Sequence, residues 1–347
     1  MKLFRPESWE RFTADDARRF LCNFLLEART ISFTPRELDK LLSPKILGRL
    51  ANPATHDFFL YHFGSLFARA VPALLGAKEP RMHTNEREFR RKEPQVNASE
   101  RNRKSEERES EAKEPPRTPR EPTRNLAPLI LDLGCGSGTG SILFALLGAR
   151  VIGLDLDPAL IAACRKRQEF YEAQFGPLSL RFEEADALSF NYAALAPIDA
   201  VYSLFAFNLI HPASALLSRL LPALAPGGRI VISDGNRSSF YNRLFRSRAA
   251  FTPKELRRAL LSCVCGSRAD RTVRTDRPGL AVSESFHCLV PPLFTRRRFW
   301  FACGRTLERI LDRLGLARWF GLSYTMIAQV MGTRCGIVSP PFAEAPP

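Results

Sequence analysis

The chain opens with helical periodicity. Within residues 1–77, Phe20–Glu27 and Phe58–Leu75 carry apolar side chains at intervals of three and four, and Thr34-Pro35 and Asn52-Pro53 punctuate them. Residues 78–127 break the pattern, because Glu, Arg, Pro and Ser dominate and Phe89 is their single aromatic residue. Such a stretch cannot bury enough apolar surface to offset its ordering entropy, so a disordered, charged insert is expected. From Leu126 onward, apolar runs alternate with helical patterns. Strands are predicted over Leu129–Leu133, Arg150–Leu154, Leu178–Phe182, Ala200–Leu204 and Arg229–Ser233, with helices over Ser141–Leu147, Pro158–Phe175 and Ala213–Leu224. That alternation predicts an α/β, doubly wound, parallel sheet over residues 128–240. The remainder, 241–347, reads as a helix from Thr252 to Leu261, an amphipathic helix over Phe299–Leu316 and a late strand over Ser323–Met331. The amphipathic segment lines up Cys303, Leu307, Ile310, Leu311 and Leu314 along one stripe. No internal repeat is present.

Composition narrows the field. With 347 residues and 45% apolar content there is ample material for a core. Met1–Arg11 places charges where a secretory signal would be apolar, and Asn125–Ala149 is interrupted by Asp132 and several glycines. A cytoplasmic protein is therefore expected, with its eight cysteines reduced. Cys263 and Cys265 form a C-x-C pair without a second pair at ligand spacing, so no metal site is expected. The net charge of +15 is unevenly spread. Residues 241–320 hold 17 basic and 6 acidic side chains, a local +11, while residues 128–240 hold 8 basic and 10 acidic ones. The C-terminal block thus offers a surface for something anionic.

The segment Leu129–Asp157 carries the chemistry. An apolar strand runs into Gly134-Cys135-Gly136-Ser137-Gly138 and then into a helix. Glycines allow a tight turn and close approach of a ligand to the backbone, and the helix N-terminus offers free N–H groups. The second strand ends at Asp155, a position suited to ribose hydroxyls. A nicotinamide dinucleotide is the competing ligand. However, the G-x-G-x-x-G/A fingerprint meets Thr139 in one register and Ser141 in the other, and no phosphate-binding G-x-x-x-x-G-K-[ST] occurs. Asp157 reads as a helix cap for Pro158 onward.

LDLGCGSGTG followed by VIGLDLDP closely resembles the first two motifs of the class I S-adenosylmethionine-dependent methyltransferases. FEEADA at Phe182–Ala187, PIDAVYSLFAF at Pro197–Phe207 and LLPALAPGGRIVISD at Leu220–Asp234 resemble that family's later segments in order and spacing. The resemblance covers about 128–262, with an echo in Ser323–Met331. It implies a Rossmann-like, seven-stranded sheet, methyl transfer, and S-adenosyl-L-methionine as cofactor. By matching position, Asp132, Gly134, Gly136 and Gly138 are implied to hold the methionyl end and Asp155 the ribose, while Asp186 with the Ala187 backbone addresses the adenine.

The acceptor is not named by these motifs. The Asn/Asp-Pro-Pro-Tyr motif for amino groups in nucleic acids is replaced by Tyr202-Ser203-Leu204-Phe205, which disfavours nucleic acid. His211 and Tyr202 are candidates for proton handling, with His56, His62, Asn208, Tyr241 and His287 behind them. FTRRRFW at Phe294–Trp300 and Arg318-Trp319-Phe320 set Arg beside aromatics at both ends of the amphipathic helix. That pattern suits an anionic membrane surface, and equally a helix that simply covers the sheet. A small-molecule or lipid acceptor is the preferred expectation. An RNA or protein acceptor, or a non-catalytic binding protein of the same fold, stands as the alternative.

Overall fold

The computed structural model describes residues 3–41, 53–76, 127–244, 251–265, 279–288 and 298–331. The charged insert expected over 78–127, apart from Ala127, lies outside the described residues, as do Phe294–Arg297.

Seven strands form one sheet: β1 (Leu129–Leu133), β2 (Arg150–Asp155), β3 (Leu180–Glu184), β4 (Ile198–Leu204), β5 (Leu224–Gly235), β6 (Gly279–His287) and β7 (Ser323–Met331). Their order is β3-β2-β1-β4-β5-β7-β6. The first five run parallel, and β7 and β6 add antiparallel at one edge. The central strands are buried on both faces, which is why β1 reads as an unbroken apolar run carrying a single acid, Asp132. Strand order reverses between β1 and β4, and the crevice for a ligand in such sheets lies at the C-terminal ends of the strands there.

One face is covered by helices α1 (Ala14–Thr30), α3 (Pro53–Leu75), α4 (Thr139–Leu146) and α5 (Pro158–Phe175). The short helix α2 (Pro35–Leu41) sits against α5 through the Lys166–Glu37 ion pair at 2.7 Å. The other face carries α6 (Ala213–Leu220) and α8 (Pro253–Cys265). The small helix α7 (Phe240–Leu244), α9 (Arg298–Arg313) and α10 (Ala317–Phe320) complete the chain. Helix α1 starts in a capping box, Thr13 and Asp16 exchanging backbone and side-chain hydrogen bonds. Its buried stripe includes Ala17, Phe20, Leu21 and Glu27. Arg229 of β5, itself buried, donates to the carbonyl oxygens of Ala73, at 2.9 Å, and of Gly76 at the end of α3. A guanidinium at a helix C-terminus satisfies orphan carbonyls and meets the negative end of the dipole.

The predicted strands and helices all appear, some with shifted ends. Strand β6 and the short helices α2, α7 and α10 went unread. Strand β6, GLAVSESFH, alternates weakly because it is the sheet's edge and is half-buried along most of its length. Helix α2 begins at Thr34-Pro35, where a Thr34–Glu37 capping box starts a helix in place of a break.

Candidate functional site

The glycine loop lies between β1 and α4, at the switch point. Gly134, Gly136 and Gly138 all have φ between +54 and +72°, a region that disfavours side chains. Their surroundings differ. A Cβ on Gly134 would stand 2.3 Å from the Cβ of Ala206, and one on Gly138 would stand 2.8 Å from both the Cys164 sulfur and the Phe182 ring. A Cβ on Gly136 would meet nothing nearer than the Gly134 carbonyl oxygen at 4.0 Å. Gly134 and Gly138 are thus required by the fold, whereas Gly136 keeps space open above the loop.

Asp155, at the end of β2, ties the loop down. One carboxylate oxygen accepts from the Gly136 N–H at 2.8 Å and the other from the Asp157 N–H at 3.0 Å. An ionised carboxylate has about four lone-pair sites, so further donors can still be accepted. Asp157 caps α5 through the Ala159 N–H at 2.9 Å and pairs with Lys40 at 2.7 Å. Asp186 is exposed after β3, where it accepts from the Leu188 N–H at 2.9 Å, and the Ala187 carbonyl takes the Tyr192 hydroxyl at 2.5 Å.

Beneath the loop is a buried ionic cluster without any counterpart in the motifs. Arg167 of α5 makes a bidentate pair with Glu27 of α1, at 2.6 and 3.1 Å, and Tyr171 donates to the same carboxylate at 2.7 Å. The free edge of the guanidinium donates to the Ser137 carbonyl and to the Thr139 hydroxyl, the latter at 3.0 Å. An N-terminal helix therefore supports the cofactor-type loop through a single arginine. Their separation of 140 residues hides the pair from any local pattern.

Asp132 is buried under the loop and accepts from the Ser141 hydroxyl at 2.6 Å. Burial pushes its carboxyl up to about 7, the Ser141 bond opposing and the nearby Asp155 charge adding to it. Asp234, at the end of β5, accepts from the N–H groups of Asn208 and Gly235, and burial raises it to about 6. Both carboxyls therefore keep protons in the fold that the unfolded chain releases near pH 4. Their contribution to stability is complete below that pH and is lost as pH rises through about 6 and 7. Between about pH 5 and 8 the Asp132→Asn variant should show a flatter decline in melting temperature than the parent. Parallel pH profiles for the two proteins would show that Asp132 is ionised throughout.

The candidates for proton handling are dispersed. Tyr202 is sealed between Phe144 and Phe67, its hydroxyl buried and without a hydrogen-bond partner. Burial holds that phenol well above its ordinary value. His211 is exposed and packs on Phe251. His287 donates or accepts at Thr325, 2.9 Å away, and burial first, then His62 and Arg69, lowers it to about 3, so it is neutral at physiological pH. Asn208 has a buried side-chain oxygen with no partner, Tyr241 stacks near Phe320, and His56 falls in the first turn of α3. His62 of α3 is different. Its ring lies 5.9 Å from that of Phe205, the residue that follows β4 with φ +53°, and its Nε2 is 2.7 Å from the Ser323 hydroxyl. Ala206, the next residue, is the one that closes on Gly134.

Residues 130–228 match the methyltransferase domain family. A trans-aconitate 2-methyltransferase of Variovorax paradoxus is 34% identical over 36% of this chain and 45% of its own length. A demethylmenaquinone methyltransferase of Thermus thermophilus is 36% identical over 30% of this chain and 46% of its own. The chain thus spans less than half the length of these relatives. A solved methyltransferase from Archaeoglobus fulgidus aligns with 58% of this chain and 86% of its own, at 20% identity and a TM-score of 0.40. Sheet order, glycine loop and family match agree in giving residues 130–228 a methyltransferase domain of the class I S-adenosylmethionine-dependent type.

Proposed function

We propose that the chain binds S-adenosyl-L-methionine at the crevice above Gly136 and transfers its methyl group to a small-molecule or lipid acceptor. The observation that carries this reading is the open space at Gly136, bordered by a carboxylate already bound to the loop backbone. That cradle fits a ligand with ribose hydroxyls and a polar amino-acid end. Asp155 would take the ribose hydroxyls, Asp186 and the Ala187 backbone the adenine, and Gly134–Gly138 the methionyl end. Buried Asp132 acts from below, holding Ser141 and with it the first turn of α4. When bound, the cofactor supplies a methyl group on a sulfonium, open to in-line attack.

The protein's part is then alignment and exclusion of water, which in favourable cases lowers a barrier by about 7–11 kcal/mol. Phe63, Phe205 and His62 form an aromatic wall on the β4 side. On this reading His62 is the group that takes up a proton when the acceptor is a hydroxyl or an ammonium. The relatives named for trans-aconitate and demethylmenaquinone support a small, non-polymeric acceptor. Among the described residues no helix is long and apolar enough to cross a membrane, so a lipid acceptor would be reached from its surface.

Calorimetry tests the cofactor assignment directly. The chain should bind S-adenosylmethionine and S-adenosylhomocysteine and ignore NAD. Asp155→Ala should weaken binding by about ten- to a hundredfold, matching the roughly 1.5–3 kcal/mol of a hydrogen bond to a charged group. Binding of NAD without S-adenosylmethionine would overturn the reading.

A further inference from the structure

Helix α9 is mounted with its polar edge inward. A surface helix ordinarily turns its apolar stripe to the core and its charges to water. Here Gly304 is buried, Glu308 accepts the Tyr61 hydroxyl of α3, and Arg305 stacks on the Tyr61 ring. Those contacts fix the rotation of the helix about its axis. The stripe Cys303, Leu307, Ile310 and Leu314 then faces solvent, with Leu307 42%, Ile310 47% and Leu314 66% exposed. Phe299, one turn before Cys303, extends the stripe, and Trp319 of α10 stands half-exposed beyond its other end. Arg305, Arg309, Arg313 and Arg318 are all exposed on these two helices, against a single exposed acid there, Asp312.

We infer that α9 and α10 form a docking surface for an anionic lipid bilayer, lying in its interfacial plane. The exposed leucines and isoleucine enter the acyl boundary, Trp319 sits at headgroup level, and the arginines reach the phosphates along their apolar stems. Charge chooses the occupant. Two helices whose apolar face is bordered by Arg309, Arg313 and Arg318, against the one exposed acid Asp312, are complementary to a surface of negative headgroups. The sequence block from 241 to 320, at +11, extends the same sign. This inference stands independently of methyl transfer, since it uses neither the glycine loop nor the cofactor.

Co-sedimentation of the full chain with vesicles decides it. Vesicles of phosphatidylcholine with phosphatidylglycerol should pellet the protein, pure phosphatidylcholine should pellet much less, and high salt should release a large share. The variant Leu307→Ser, Ile310→Ser, Leu314→Ser should lose about tenfold or more of its partitioning, with its melting temperature unchanged or raised, because the replaced side chains are exposed. Changing Arg309, Arg313 and Arg318 to Gln should abolish the preference for the anionic vesicles. Equal binding to both vesicle types, or full binding by the serine variant, overturns the inference. So does a concentration-dependent dimer that the serine substitutions abolish, which would assign the stripe to a second copy.

Discussion

Replacing Glu27 by alanine should destabilise the protein by about 3–5 kcal/mol, the usual penalty for leaving one member of a buried ion pair without its partner. Arg167 would keep its charge in an environment where Glu27 had supplied two hydrogen bonds and Tyr171 a third contact to the same carboxylate. The effect should reach the cofactor loop as well. The guanidinium edge that holds the Ser137 carbonyl and Thr139 hydroxyl is positioned by Glu27, so the folded fraction should bind S-adenosylhomocysteine more weakly. Removing both charges in Glu27→Leu, Arg167→Met should cost less stability than the single change, since no orphan charge remains. Urea denaturation gives the stabilities, and calorimetry on the same samples gives the affinity. A single-variant loss below about 1 kcal/mol would mean that water enters and solvates Arg167.

The loop glycines should divide into two kinds. Gly138→Ala should unfold or severely weaken the protein, by about 2–5 kcal/mol. A left-handed residue costs about 1–2 kcal/mol, and overpacking against Cys164 and Phe182 adds about 1–3. Gly136→Ala carries the backbone strain alone, because its Cβ meets no protein atom closer than 4.0 Å. It should therefore fold, yet lose about a hundredfold in S-adenosylmethionine affinity, since the methyl occupies the ligand's approach to the main chain. A stable Gly136→Ala protein with unaltered affinity would move the cofactor away from the loop.

The parallel half of the sheet was legible because burial on both faces leaves continuous apolar runs, and because the glycines and Asp155 sit within a few residues of strand ends. What stayed hidden was tertiary. Glu27 and Arg167 look like ordinary charged helix residues, and only packing of α1 against α5 removes them from water. His62 stood behind His211 and Tyr202 as a candidate until α3 set it against Phe205 and Ser323. Periodicity revealed the stripe on α9 but not its direction, since the pattern is identical whichever side meets the core. Strand β6, an edge strand bearing Ser283, Glu284 and Ser285, lacks the apolar density that marks the central strands.

The capping of α3 by Arg229 also sets an order in time. The arginine lies 153 residues after Gly76, whose carbonyl it receives, so on a ribosome it emerges on the order of ten seconds later at roughly 5–20 residues per second. Throughout that interval α3 exists without its cap and without a complete β5, and for most of it without β4, two of the strands it packs on. Residues 77–126 are synthesised inside the same window and lengthen it. Docking of the N-terminal helices is consequently a late, post-β5 event. A ribosome stalled before Arg229 would carry a nascent chain whose first helices remain open to chaperones, while one stalled after β7 would present them already seated.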